Sequence, residues 1–227
     1  MLESLKKQVL KANKDLPKHD LVKLTWGNVS AISDDRKFVI IKPSGIEFET
    51  TTPKDMVVLD LKGRIVEGKL KPSVDTPTHL VLYKRYKNIN SIVHTHSTYA
   101  TIFAQANQNI PCLGTTHADH FCGDIPLTRK LTKREIQNDY EYNTGLVIIE
   151  TLKNASILKI PAILVANHGV FSWGRNTKDA IHNSVAVEEV AKMALFTLLL
   201  NKNSFIDSGI LNKHFSRKNS KSAYYGQ

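Results

Sequence analysis

No stretch of this chain is apolar for long enough to cross a bilayer. The nearest, MALFTLLL at 193–200, follows Glu188, Glu189 and Lys192 and falls far short of the roughly 20 residues a spanning helix needs. The opening MLESLKKQVLKANKDL has no apolar core and no small-residue cleavage site, so no secretory signal is expected. Cysteine is scarce. Cys112 and Cys122 are the only two, belong to no thiol or metal motif, and fit a reducing cytoplasm. Arginine-rich runs, zinc fingers and aromatic–basic RNA motifs are also missing, so nucleic acid is not expected as a partner. That holds despite 31 Lys+Arg against 21 Asp+Glu, a net charge of +10. The lysines are scattered, and the densest basic region is the tail NKHFSRKNSKSAYYGQ. Such a surplus serves solubility and favours a small anionic substrate.

What is present reads as a soluble α/β chain. Its 227 residues, 41% hydrophobic and 23% charged, suit one domain over 1–227 without repeats or linkers. Leu2, Leu5, Val9 and Leu16 predict an amphipathic helix over 1–16, closed by Pro17. Phe38–Ile41 reads as a buried strand running into a Pro-Ser-Gly turn. DMVVLDLKGRIVEGK gives two strands joined near Lys62-Gly63. THLVLYKRY and TYATIFAQAN have helical spacing, whereas INSIVHTH and PAILVANHG read as strands. Between them lies a loop-rich middle. A long helix capped by Asn176 or Thr177 runs to about Leu200. Together these predict a mixed or largely antiparallel sheet covered by helices.

The chemistry gathers at two strand ends. In SIVHTHS, His94 and His96 point the same way because a strand repeats every two residues, roughly 6–7 Å along the chain. AILVANHG delivers His168 as its strand finishes. Three imidazoles from two strand ends resemble a catalytic zinc site with an open position; scattered structural histidines are the alternative. Three turns have the donors an anion needs. TWGNVS places Gly27 and Asn28 after a strand-like start. KPSG offers Lys42, Ser44 and Gly45, and KPSVDTPTH offers Ser73 ahead of a helix starting near Thr76 or Pro77. Each is also an ordinary turn or cap.

Taken as a set and in order, LTWGNVS, IKPSG, KPSVDTPTH, IVHTHS, GTTHADHF, NHGVFSWG and AYYGQ span nearly the whole chain. The set closely resembles the L-ribulose-5-phosphate 4-epimerase branch of the class II aldolase/adducin-like family. That resemblance implies a three-layer α/β/α fold around a mostly antiparallel sheet, and a homotetramer of four-fold symmetry. It implies a metal site of His94, His96, His168 and Asp75, with Zn2+ expected and Mn2+ or Co2+ as substitutes. Gly27, Asn28, Lys42, Ser44, Gly45 and Ser73 match a pocket for the substrate phosphate. Val74 stands where the family often has a second serine, so it keeps a backbone N–H for phosphate but has no hydroxyl. Asp119 and Tyr225 match the acid/base pair, with Tyr225 on a tail (about 212–227) that reaches a neighbouring subunit. His214 matches a histidine near the substrate, a phosphorylated ketopentose. Two alternatives stay open: an aldolase of the L-fuculose-1-phosphate type, which has a glutamate at the position of Asp75, and a metal-free adducin-like module.

Overall fold

The computed structural model describes residues 2–153, 156–220 and 223–225. The chain opens with helix α1 (Leu2–Lys18) and strands β1 (Gly27–Ile32), β2 (Phe38–Ile41), β3 (Val57–Asp60) and β4 (Ile65–Glu67). Helix α2 (Thr76–Arg85), strand β5 (Ser91–Thr95) and helix α3 (Thr98–Ala106) follow. Then come α4 (Thr115–His120), α5 (Lys133–Gln137) and α6 (Tyr140–Leu152), β6 (Ala162–Val165) and β7 (Gly169–Gly174), and finally α7 (Thr177–Leu200) and α8 (Ser208–Asn219).

Among the described residues, seven strands form one sheet in the order β4-β3-β2-β1-β5-β7-β6, and every neighbouring pair is antiparallel. Alternation sorts the side chains to two faces. Ile32, Ile92, Ile163, Phe171 and Trp173 pack with Leu80, Tyr83, Ile148 and Leu152 of α2 and α6. Val29 and Val93 meet Ala12 and Leu16 of α1 and Ala180 and Ile181 of α7. Leu164 and Val170 meet α3 and further residues of α7. The result is the expected α/β/α arrangement, antiparallel throughout the sheet.

Several expectations need correction. Pro17 does not close α1, which runs to Lys18. A proline this near a helix end forfeits one bond in a turn that is already fraying, so the helix tolerates it. Met1, the first residue of the predicted helix, lies outside the described residues. Gly27 and Asn28 begin β1 rather than follow a strand. The loop-rich middle contains α4, α5 and α6. The short α5 is fixed by a capping box, with Glu135 N–H donating to Thr132 Oγ1 and Thr132 N–H to the Glu135 carboxylate. Helix α6 packs tightly on α2 because Gly145 has no side chain: a Cβ there would lie 2.8 Å from Val81. GVFSWG forms β7, a strand buried on both faces that therefore shows no polar alternation to read.

Candidate functional site

Strand register builds the site. Asn28 of β1 pairs with His94 of β5, and His94 pairs with Phe171 of β7. These three side chains therefore share the face toward α2. His96 leaves β5 just past its last residue, and His168 lies in the turn between β6 and β7. The ligand-type nitrogens of His94, His96 and His168 all fall within 4.8 Å of one another, and His94 Nε2 is 3.1 Å from His96 Nε2. Gly169 permits this convergence, since a Cβ there would meet the Thr95 carbonyl at 2.7 Å and His96 Cδ2 at 3.0 Å.

Tautomers and charges suit a cation. His94 Nδ1–H donates to the Val170 carbonyl at 3.0 Å, which leaves the Nε2 lone pair facing the cluster. The Tyr140 hydroxyl lies 3.5 Å from His168 Nδ1. Burial, followed by the neighbouring imidazoles, pushes His168 down to about 3 and also lowers His96. With His94 Nε2 left as an acceptor, tautomers of His96 and His168 that also turn a lone pair inward would give a three-nitrogen set that fits a divalent metal.

Asp75 joins the cluster from the start of α2. Its side chain caps nothing. Instead Oδ1 lies 3.9 Å from His94 Nε2, while Oδ2 accepts from Asn28 Nδ2 at 2.8 Å and Ser73 Oγ at 3.3 Å. Burial works against its ionisation, but the facing histidines and Asn28 outweigh it and hold the carboxyl below its usual range. Behind it, buried His79 contacts Ser30 Oγ at 2.7 Å, and Ser30 contacts the Tyr83 hydroxyl at 2.8 Å. Nothing in the sequence marked His79 apart from the other scattered histidines.

A cavity of about 470 Å3 opens on this cluster. Gly27, Asn28, Lys42, Ser44, Gly45, Ser73, Val74, Asp75, His94, His96 and His168 line it, with Thr25, Trp26 and Pro43 in addition. Lys42 is the buried cation of the pocket, 2% exposed. Its Nζ sits 4.7 Å from the centre of the Phe48 ring, and desolvation brings its pKa down to about 8. Asn28 Oδ1 is buried and unpartnered among the described residues. Val74 stands exposed at the rim.

Asp119, His214 and Tyr225 are not in this cavity. Asp119 lines a separate one, bounded by Gly174 at the far end of β7. Gly169, beside His168, starts that strand, so about 17 Å of extended chain separates the two ends. Helix α8 organises this second group. Arg217 Nε and Nη2 donate to the two Asp119 oxygens at 3.1 and 2.9 Å, and His214 Nδ1 donates to Oδ1 at 3.1 Å. Burial opposes ionisation of Asp119, but Arg217 and His214 prevail and hold it below the ordinary carboxylate range. The Arg217 guanidinium also lies 4.2 Å from the Tyr225 ring centre, and its carbonyl accepts the Tyr224 and Tyr225 N–H groups. Sequence reasoning passes over Arg217 in the basic tail; its spacing of three from His214 becomes a signal once Asp207 is seen to cap a helix. Gly226 and Gln227, which complete the YYGQ motif, lie outside the described residues.

The α/β/α fold thus brings three imidazoles, a carboxylate and a buried lysine to one cavity at one end of an antiparallel sheet. The chain belongs to the Class II Aldolase and Adducin N-terminal domain family, whose model matches residues 7–195. Among solved structures it is similar to an L-fuculose 1-phosphate aldolase, with 26% identity, 94% of this chain and 95% of that one covered, and a TM-score of 0.80. The YgbL protein of Escherichia coli shares the fold at 20% identity, covering 94% and 99% of the two chains, with a TM-score of 0.76. The L-fuculose-1-phosphate aldolase of Thermus thermophilus does so at 22% identity, covering 90% and 100%, with a TM-score of 0.70.

Proposed function

We propose that the protein is a metal-dependent epimerase interconverting L-ribulose 5-phosphate and D-xylulose 5-phosphate. The observation that carries this reading is the placement of His94, His96, His168 and Asp75 on one wall of a cavity that also holds Lys42, Asn28 and Ser73. A metal-type donor set beside an anion pocket fits a phosphorylated sugar held by one end and reacting at the other.

The C4 hydrogen of a 2-ketose phosphate is not acidic, so inversion there proceeds through breaking and remaking the C3–C4 bond. His94, His96 and His168, with Asp75, would hold a divalent cation, Zn2+ being the expected ion, which when bound would supply Lewis acidity for the negative charge that cleavage leaves on the substrate. Lys42, Asn28, Ser44, Gly45 and Ser73, with the Val74 N–H, retain the phosphate of the cleaved fragment while its aldehyde turns. Asp75, held by Asn28 and Ser73, completes the donor set rather than moving protons. Asp119 and Tyr225 exchange protons with the C4 oxygen from its two faces.

Within one chain Asp119 lines a cavity at the far end of β7 from the histidines, and Tyr225 is tied to the same Arg217, so the tail acts on the cavity of a neighbouring copy. Because Arg217 binds both Asp119 and Tyr225, the two arrive together. A homotetramer of four-fold symmetry supplies such a neighbour to every site. Mixing His96→Ala and Tyr225→Phe subunits tests this. Random pairing makes about a quarter of the sites whole, whereas action within one chain restores none.

An aldolase that releases its aldehyde is the second reading, favoured by the similarity to an L-fuculose 1-phosphate aldolase. A coupled assay on L-ribulose 5-phosphate separates the two. Epimerisation yields D-xylulose 5-phosphate without aldehyde accumulation, and stoichiometric free glycolaldehyde phosphate overturns it.

A further inference from the structure

A second group of cations converges at the far end of the sheet. Lys218 of α8 places Nζ 3.4 Å from His120 Nε2 of α4. The His120 and His182 rings meet edge to face with centroids 5.2 Å apart. Arg175, at the corner between β7 and α7, completes the wall of a cavity of about 210 Å3 that these four residues share. Among the described residues, neither Lys218 nor Arg175 has a carboxylate within ion-pair distance.

The two acids on the cavity wall do not balance these charges. Asp119 is engaged by the Arg217 fork and by His214. Asp179 sits in the first turn of α7, its backbone N–H donating to Asn176 Oδ1, where a carboxylate complements the helix dipole. Burial and then the Lys218 charge keep His120 neutral, down at about 4. An ammonium that donates only to a neutral imidazole, beside an unpaired guanidinium, is an arrangement that a bound anion completes.

We propose that this cavity is a second anion site, apart from the Lys42 pocket, that takes a phosphate or sulfate group. Lys218, Arg175 and the two imidazoles donate to the group's oxygens. An occupant ties α8 to α4 and to the β7–α7 corner, and so steadies the helix that holds Asp119 and Tyr225. Binding here does not depend on the reaction assigned above.

The test uses the full-length Lys42→Met protein, which lacks the cation of the other pocket. It is titrated with sodium sulfate against sodium chloride at matched ionic strength, while histidine ring resonances and amide exchange in α8 are followed. Saturable shifts of the His120 and His182 signals are expected. At four times the dissociation constant, exchange through local opening of α8 slows about fivefold. Adding Arg175→Ala and Lys218→Ala abolishes both effects, and Arg175→Ala alone, at an exposed position, weakens them should the combined variant fold poorly. Inorganic phosphate matching a ketopentose phosphate identifies a free anion as the occupant; tighter binding of the ester identifies a metabolite. Shifts that never saturate, or that chloride reproduces, overturn the proposal, as does a Lys218/Arg175 variant that titrates like its parent.

Discussion

Replacing Lys42 by methionine should make the empty protein more stable while weakening its grip on phosphate. Lys42 is 2% exposed; among the described residues it has no acidic partner, and its Nζ donates only to the Pro43 carbonyl at 3.4 Å. Its pKa falls from 10.5 to about 8 through burial. At about 1.4 kcal/mol per decade, this drop is a penalty on the charged form of about 3 kcal/mol. The Phe48 ring below the ammonium already offsets part of the desolvation, and Met fills similar volume, so a gain of about 1–3 kcal/mol at pH 7 is expected. The sign with pH follows from linkage. Below pH 8 both folded and unfolded chains carry the Lys42 proton and the penalty is complete. Between about 8 and 10.5 only the unfolded chain retains it, so the advantage of the variant shrinks as pH rises. Urea unfolding of metal-free protein from pH 7 to pH 10 measures the difference. Phosphate affinity should fall about 10- to 100-fold, the loss of one charge-assisted hydrogen bond. A variant that is less stable at pH 7, or that binds phosphate as before, refutes the placement of an unpaired ammonium in the pocket.

The histidine cluster gives further expectations. His96→Ala should lose stoichiometric metal as well as turnover, by elemental analysis after dialysis, and full zinc occupancy would contradict its role as a ligand. Gly169→Ala places a methyl group 2.7 Å from the Thr95 carbonyl and 3.0 Å from His96. Metal affinity should drop at least about tenfold with little change in circular dichroism; unaltered affinity would show that the turn relaxes freely. Asn13→Ala removes the side chain that bonds the Val29 N–H and both the Val9 and Val29 carbonyls. It should cost about 2–4 kcal/mol in urea unfolding without changing metal content, and a near-neutral effect would mean that water replaces the side chain.

The two-residue repeat of SIVHTH was enough to aim His94 and His96 alike, and their Nε2 atoms do meet. Strongly patterned segments were equally legible: Phe38–Ile41, the hairpin of β3 and β4, and the long α7 beneath its Asn176 cap. Helices α4 and α6 were not, because one is short and the other contains Gly145, whose purpose is contact with α2 rather than helix formation. Family likeness supplied Asp75 and the residues of the proposed phosphate pocket, but no local pattern predicts that Asp75 would leave its helix uncapped and turn toward His94.

Local stereochemistry, then, was set by the chain alone: which residues extend, which coil, and which imidazoles share a face. Tertiary pairing decided everything that depends on strand order. The register of β1, β5 and β7 brings Asn28, His94 and Phe171 side by side, and the length of β7 keeps Asp119 away from the histidines of its own chain. Side-chain direction follows from backbone dihedrals a few residues long, whereas the neighbours a side chain meets depend on contacts between segments far apart in sequence, which no single segment encodes.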